Sequence, residues 1–249
     1  MANRVFRVQT ALSKLGGKAR IGQLAEETGL DDSTVSRIVQ SGVYAKHFER
    51  VERGVYALTP TAGEVGIQAL ADTVDFDLMR QVLKEARRAT DNGLIFLYAR
   101  TIFGLGRQCL TMAVGESSLD ELGMSTREVL EVTRSLRTGA SGRAILAYLP
   151  ARDQEKVIAE SVLPEAGPGV LRDPDDLRDS LQNIRDEGYA IGYQECMKGW
   201  NSVAAPFFMG DRIMGSVLML HPAEKMPQPP AHYIEAIKNA AVELSSTEN

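Results

Sequence analysis

The sequence predicts an α+β chain of two unequal parts. About sixty residues of short helices close with a hairpin, and a larger body follows whose mostly antiparallel sheet is flanked by helices. Three observations predict it. Early apolar residues recur at intervals of three and four, the period of a helix buried on one face. From Asp75 onward, helical and strand patterns are mixed. Near the end, AIGYQ, SVAAPFFM and IMGSVLML follow one another through short loops, as antiparallel neighbours do.

The first helix is expected over Arg4 to Leu15, with Val5, Val8, Ala11, Leu12 and Leu15 on one face and Gly16 and Gly17 as its stop. A short helix over Ile21 to Thr28 turns Leu24 and Ala25 inward; Gly29 supplies a left-handed turn and Leu30 points back to the core. The next helix begins near Asp32, whose carboxylate can cap its first turn. In DSTVSRIVQS, Val35, Ile38 and Val39 share one face, while Ser33, Ser36, Arg37 and Gln40 share the other. FERVERGVYALTP reads as two strands around Glu52, Arg53 and Gly54, a wing-type hairpin. Thr59, Pro60 and Thr61 mark a boundary, giving residues 1–60 as the first module and 61–74, TAGEVGIQALADTV, as a linker helix. Residues 75–249 form the larger domain, with helices expected at FDLMRQVLKEARRA, STREVLEVTRSL, GRAILAYL, RDQEKVIAESVL, DPDDLRDSLQNIRDEG and PPAHYIEAIKNAAVELSS. LIFLYA and QCLTMAV are its first strands.

Composition narrows the function classes. Of 249 residues 44% are hydrophobic and 24% charged, which supports packed cores rather than disorder. No stretch reaches the ~20 uncharged apolar residues of a membrane-spanning helix, and MANRVFRVQTALSKLGG lacks the apolar segment of a secretory signal, so a cytoplasmic protein without membrane contact is expected. Cys109 and Cys196, far apart, fit reduced thiols, and His47, His221 and His232 show no metal-ligand spacing. The net charge of −5 conceals an asymmetry: residues 1–60 carry nine Lys and Arg against six Asp and Glu, the remainder 19 against 27. A mildly basic module on an acidic body can still meet DNA, because phosphates sense the local patch.

The stretch RIGQLAEETGLDDSTVSRIVQSG carries the chemistry of that module. Ala25, Gly29 four residues later, and Val35 and Ile38 beyond it are what two helices crossing through a tight turn need. The second helix would enter the major groove of double-stranded operator DNA. There Arg37 and Gln40 would address base edges and Ser33, Thr34 and Ser36 would contact phosphates or bases. Arg20, Lys46, His47, Arg50 and Arg53 would flank it as backbone contacts.

Over nearly the whole chain a family resemblance then emerges. GLDDSTVSRIVQ resembles the GL-x-x-ST-x-x-RLL segment of the isocitrate lyase regulator (IclR) family of bacterial transcription factors. TGASGRAILAYLP is similar to its TA-x-GKA-x-LA segment, and IRDEGYAIGYQECMKGWNSVAAPFF to its IR-x-x-GYA-x-x-x-EE-x-x-x-G-x-x-x-IAAPV stretch. The resemblance implies a winged helix-turn-helix, a linker helix, a GAF-like effector domain, and a homodimer or dimer of dimers on the operator. SGVYAKHFERVERGVYALTP and GESSLDELGMSTREVLEVTRSL depart from the family pattern.

An effector site follows in part from the residues. Ala140, Ser141 and Gly142 open a helix whose free amides favour an anion, and family members hold the acid group of their ligands around this point. Opposite, the resemblance places Cys196, Ser202, Leu218 and Leu220; with Met197 and Trp200 nearby, an apolar pocket for an aromatic or longer aliphatic organic acid is expected. Against this stand plainer readings: Trp200 as core filler, Cys109 as a small buried hydrophobe, Arg137 and Arg143 as surface ion pairs rather than ligand partners, and DPDDLRD as a capped, solvated helix start. No phosphate-cradling Gly-rich loop, G-x-S-x-G elbow, cofactor motif or metal cluster is present, so an enzyme is not expected. The alternatives are a hydrolytic or small-molecule-binding enzyme using Ser141, with the N-terminal helices serving assembly only, and a ligand-binding or protein-interaction module.

Overall fold

The structure, a computed structural model, describes residues 2–65, 75–102, 104–115, 119, 125–164 and 166–245. The chain forms two compact units, Met1–Val74 and Asp75–Asn249.

In the first unit, α1 (Ala2–Lys14) is followed by β1 (Lys18–Arg20), α2 (Ile21–Thr28), α3 (Asp32–Tyr44), β2 (Phe48–Glu52) and β3 (Val55–Leu58). The strands form an antiparallel sheet in the order β1-β3-β2. Val8 and Leu12 of α1, Leu24 of α2, Val35 and Val39 of α3 and Phe48 of β2 meet in one core, as the apolar spacing predicts. Gly29, with φ of 63°, makes the left-handed turn out of α2. Gly42 lets α3 and β2 close together, since a Cβ there would collide with the Phe48 ring. Two expectations are corrected. The cap of α3 is Asp31 rather than Asp32: its backbone is still extended, so its carboxylate can reach back to the Thr34 amide at 2.9 Å. The two-stranded hairpin expected from the sequence is joined by a third strand, Lys18–Arg20, which pairs with β3. Residues 60–65 are helical; the rest of the expected linker helix lies outside the described residues.

The second unit contains α4 (Phe76–Ala89), β4 (Leu94–Arg100), β5 (Gly106–Ala113), α5 (Thr126–Glu131), β6 (Arg134–Ser135), α6 (Ala140–Leu146), α7 (Ala151–Ile158), α8 (Pro174–Glu187), β7 (Ala190–Tyr193), β8 (Trp200–Met209), β9 (Arg212–Pro222) and α9 (Ala231–Ser245). Six strands form an entirely antiparallel sheet, β6-β5-β4-β9-β8-β7. Alternation along the strands sends residues to two cores. Ile95, Leu97, Val217 and Met219 pack with α4 and α9, whereas Phe96, Tyr98 and Leu218 pack with α6, α7 and α8. The helix expected over STREVLEVTRSL is shorter: α5 stops at Glu131, Val132 is already extended, and Arg134–Ser135 pair with the start of β5. Likewise α7 ends at Ile158, ahead of the Ser161–Leu163 end of its expected span. No helix among the described residues is long and apolar enough to cross a membrane.

Candidate functional site

Two regions, one in each unit, gather the predicted residues. In α3 the buried positions Val35, Ile38 and Val39 fix which edge faces out, and that edge presents Ser33, Arg37, Gln40 and Tyr44 at spacings of four, three and four. Arg37 is exposed and makes only a 3.4 Å contact to the Thr34 hydroxyl, and Gln40 reaches the Ser36 hydroxyl at 3.5 Å. Tyr44, 94% exposed, was not singled out from the sequence; its place seven residues after Arg37 is the signal that reveals it. Thr34 and Ser33 differ from expectation. Thr34 is buried and its hydroxyl donates to Asp31 at 2.8 Å, while Ser33 donates to the same carboxylate at 2.5 Å. These bonds, led by the one from Ser33, hold the Asp31 carboxyl well below the usual carboxylate range. Both hydroxyls therefore build the start of α3, leaving Arg37, Gln40 and half-buried Ser36 as its outward donors.

Around α3, Arg20 ends β1 and is exposed, and Lys46 lies in the turn after α3 with φ of 60°. Arg50 and Arg53 lie on the hairpin, where Arg50 donates to the Glu52 carbonyl at 3.2 Å; His47 is half-buried. No Lys or Arg of residues 2–65 forms an ion pair among the described residues.

The second region is a cavity of about 300 Å³ between the sheet and α6. Its sheet side is set by register: Leu218 on β9 lies directly across from Phe96 on β4, with Leu220 and Tyr98 on the same face one step along each strand. Arg107 of β5 stands beside them with its guanidinium 5.4 Å from the Tyr98 ring centre. Val129 of α5, the segment Val132–Ser135, Thr138, Leu163 and Cys196 complete the wall. The Ser216 hydroxyl donates to the Ser141 carbonyl at 3.1 Å and anchors α6 over the sheet.

The Gly-Ala-Ser-Gly run is explained by this close packing. Gly139 has φ of 83°, and a Cβ there would lie 2.6 Å from the Cys196 sulfur. A Cβ on Gly142 would lie 2.6 Å from a guanidinium nitrogen of Arg107 and 2.7 Å from the Leu136 carbonyl. Ser141 lines the cavity, is 1% exposed, and its hydroxyl has no hydrogen-bond partner among the described residues. No histidine is among the described lining residues: His221 sits on the opposite sheet face, stacked on Tyr233 at 5.4 Å. No group of three His, Cys, Asp or Glu side chains could hold a metal among the described residues.

Of the expected effector residues, Ser141, Cys196, Leu218 and Leu220 line the cavity. Ala140 and Gly142 are buried behind it. Met197, Trp200 and Ser202 are not among its described lining residues; Trp200 and Ser202 lie on β8, one strand beyond β9 in the sheet. Trp200 packs half-buried against the core, and the Ser202 hydroxyl donates to the Gly192 carbonyl at 3.3 Å. Arg137 and Arg143 are not the surface ion pairs expected, because α6 and the turn before it are buried on all sides. Arg137 donates to the Leu171 and Arg172 carbonyls at 2.7 and 3.1 Å. Arg143 grips both oxygens of Glu195, the Ser180 hydroxyl and the Ile191 carbonyl, with each side chain of the ion pair 5% exposed. Sequence reasoning missed Phe96, Tyr98, Arg107 and Arg134 in the wall. Burial pushes the Cys109 thiol up to about 12 and the Cys196 thiol upward as well, so both are neutral at physiological pH.

Residues 127–246 match the family profile described as the bacterial transcriptional regulator IclR C-terminal domain. The chain is 25% identical over 236 residues to the HTH-type transcriptional regulator KipR of Bacillus subtilis, covering 90% of this chain and 88% of that one. It is 33% identical over 150 residues to the probable HTH-type transcriptional regulator ArcR of Halobacterium salinarum, covering 57% and 56%. Among solved structures, the Thermotoga maritima IclR superposes with a TM-score of 0.61 at 22% identity, covering 98% of this chain and 96% of that one. An IclR homologue from Microbacterium hydrocarbonoxydans, complexed with 4-hydroxybenzoate, does so at 0.57 and 20%, covering 98% and 97%. At these identities the superpositions establish the fold.

Proposed function

This chain belongs to the IclR family of bacterial transcription regulators, and we propose that it reads an operator through the outward edge of α3 while the cavity beside α6 senses a small organic acid. It is a transcription regulator with a ligand-binding C-terminal domain, not an enzyme. The finer assignments are our reading. Residues 1–60 form the DNA-binding domain, 61–74 the linker and 75–249 the effector domain, in a cytoplasmic homodimer or dimer of dimers presenting two copies of α3 to a pseudo-palindromic site. Arg37 and Gln40 address bases; Arg20, Ser36, Lys46, Arg50 and Arg53 meet the backbone.

The observation that carries this reading is the exposed edge of α3, whose one guanidinium faces solvent with no acidic partner among the described residues. The effector class rests on the cavity wall. Phe96, Leu218 and Leu220 favour an apolar or aromatic body, and a volume of about 300 Å³ sits at the small end of ligand pockets. Effector binding changes operator affinity by favouring one arrangement of the paired DNA-binding domains over another. An electrophoretic shift with the intergenic DNA upstream of its gene, repeated with organic acids that raise the melting temperature, tests the reading. Retarded DNA released or tightened by such an acid is expected, and indifference to every promoter fragment would refute it.

A further inference from the structure

We propose that Arg107 is the residue that reads the effector's negative charge. The cavity takes a carboxylate of about one-ring size, its acid group against the Arg107 guanidinium and the Ser141 hydroxyl, its body over Phe96, Leu218 and Leu220. The inference rests on the cavity being the effector site, as proposed above.

Arg107 is 4% exposed and always charged, yet among the described residues its hydrogen-bond partners are neutral. Its two terminal nitrogens donate to the Ser135 carbonyl and, at 3.1 Å, to the Thr138 carbonyl, and its buried Nε has no partner among the described residues. The Tyr98 ring beneath it favours a cation without neutralising it. Among the described residues no carboxylate comes within ion-pair distance of Arg107. Glu195 is near enough to act on it electrostatically, but Glu195 is committed to Arg143.

Three guanidinium groups are buried at or beside α6: Arg143 has a bidentate carboxylate, while Arg137 and Arg107 donate to carbonyls, and of the three Arg107 alone is among the described residues lining the cavity. A buried cation that served only to tie loops together would be costly beside an apolar side chain of the same volume. An anion that arrives with the ligand removes that cost. The wall agrees: it includes Arg107 and Arg134 and, among the described lining residues, no Asp or Glu. The Ser141 hydroxyl, 1% exposed and without a partner among the described residues, adds a second donor at the same wall. The guanidinium keeps its position because residue 142 is Gly, where any side chain would displace it.

Binding of benzoate, phenylacetate, 4-hydroxybenzoate and hexanoate to the full chain, each measured by calorimetry beside its neutral carboxamide, tests this. The wild type is expected to prefer an acid over its amide by at least about ten-fold, the worth of a charge-assisted hydrogen bond. Arg107→Met is expected to bring that ratio to about one, Arg107→Lys to retain most of it, and Ser141→Ala to lower it partway. A ratio unchanged in Arg107→Met would overturn the inference and leave the regulator reading standing. Equal binding of acids and amides by the wild type would also overturn it, with no variant required to fold. Failure of every acid and every amide to bind at millimolar concentration would overturn the cavity as the effector site, and the inference with it.

Discussion

The arginines of the first unit all lie on the surface, whereas the second unit, beside its exposed ones, also buries three. Arg4, Arg7, Arg20, Arg37, Arg50 and Arg53 of the first unit are all exposed, and none forms an ion pair among the described residues. In the second unit Arg107, Arg137 and Arg143 are at most 5% exposed. An unpaired cation in water costs little and can meet a polyanion, which is what the proposed DNA contact asks of this unit. A buried cation is costly, and the three are met differently: Arg143 by Glu195, Arg137 by two carbonyls, and Arg107, which faces the cavity, by two carbonyls and the ligand we propose. On the readings proposed above, the same residue type serves a macromolecular partner in one unit and a small one in the other.

The contrast can be broken most forcefully at the buried pair. Glu195→Ala leaves Arg143 buried with its charge uncompensated and is expected to cost about 3–5 kcal/mol, read by urea denaturation. Arg143→Met with Glu195→Leu should recover most of that loss, because an apolar pair of similar volume needs no desolvated charge. Recovery in the double variant, measured in the same denaturation series, separates charge burial from packing.

On the exposed side the effects fall on DNA binding instead of folding. Arg37→Ala is expected to lower operator affinity by about 1–3 kcal/mol and relax base preference at its position, with an unchanged melting temperature. Arg53→Ala should weaken binding evenly across sequences and reduce the salt slope by about one, visible in anisotropy titrations at several salt concentrations. Smallest is the expected effect of Leu218→Ser, a shift of ligand preference toward smaller, more polar acids; a thermal-shift panel showing the wild-type ranking would contradict the apolar wall.

Much of the fold was legible because it is written in local periodicity. The 3 and 4 spacing of Val8, Leu12, Val35 and Val39 marks the first core, and the successive strands from Ala190 to Pro222 predict their antiparallel pairing. β1 escaped notice because three residues carry no period; Lys18–Arg20 become a strand through β3, which is distant in sequence. The helix over STREVLEVTRSL was overextended for the same reason, since pairing with β5 claims Arg134 and Ser135. At the cavity, Leu218 and Leu220 were readable from resemblance, whereas Arg107 was not. An arginine in a strand pattern reads as an outward charge, and its burial depends on register with β4 and on loops 28 and 31 residues away. Ser33 and Thr34 show the converse: hydroxyls at a helix start read equally as phosphate contacts or as parts of a cap, and Asp31 decides between them.

The central claim is that the outward edge of α3 reads DNA through Arg37. Its most direct test is the affinity of the full chain and of Arg37→Ala for a fluorescent upstream fragment, in competition with unrelated duplex DNA at physiological salt. The account predicts wild-type binding that survives the competitor and a clear loss of that preference in Arg37→Ala with folding intact. Equal retention of the fragment by both proteins, or displacement of the wild type by any duplex alike, would contradict it.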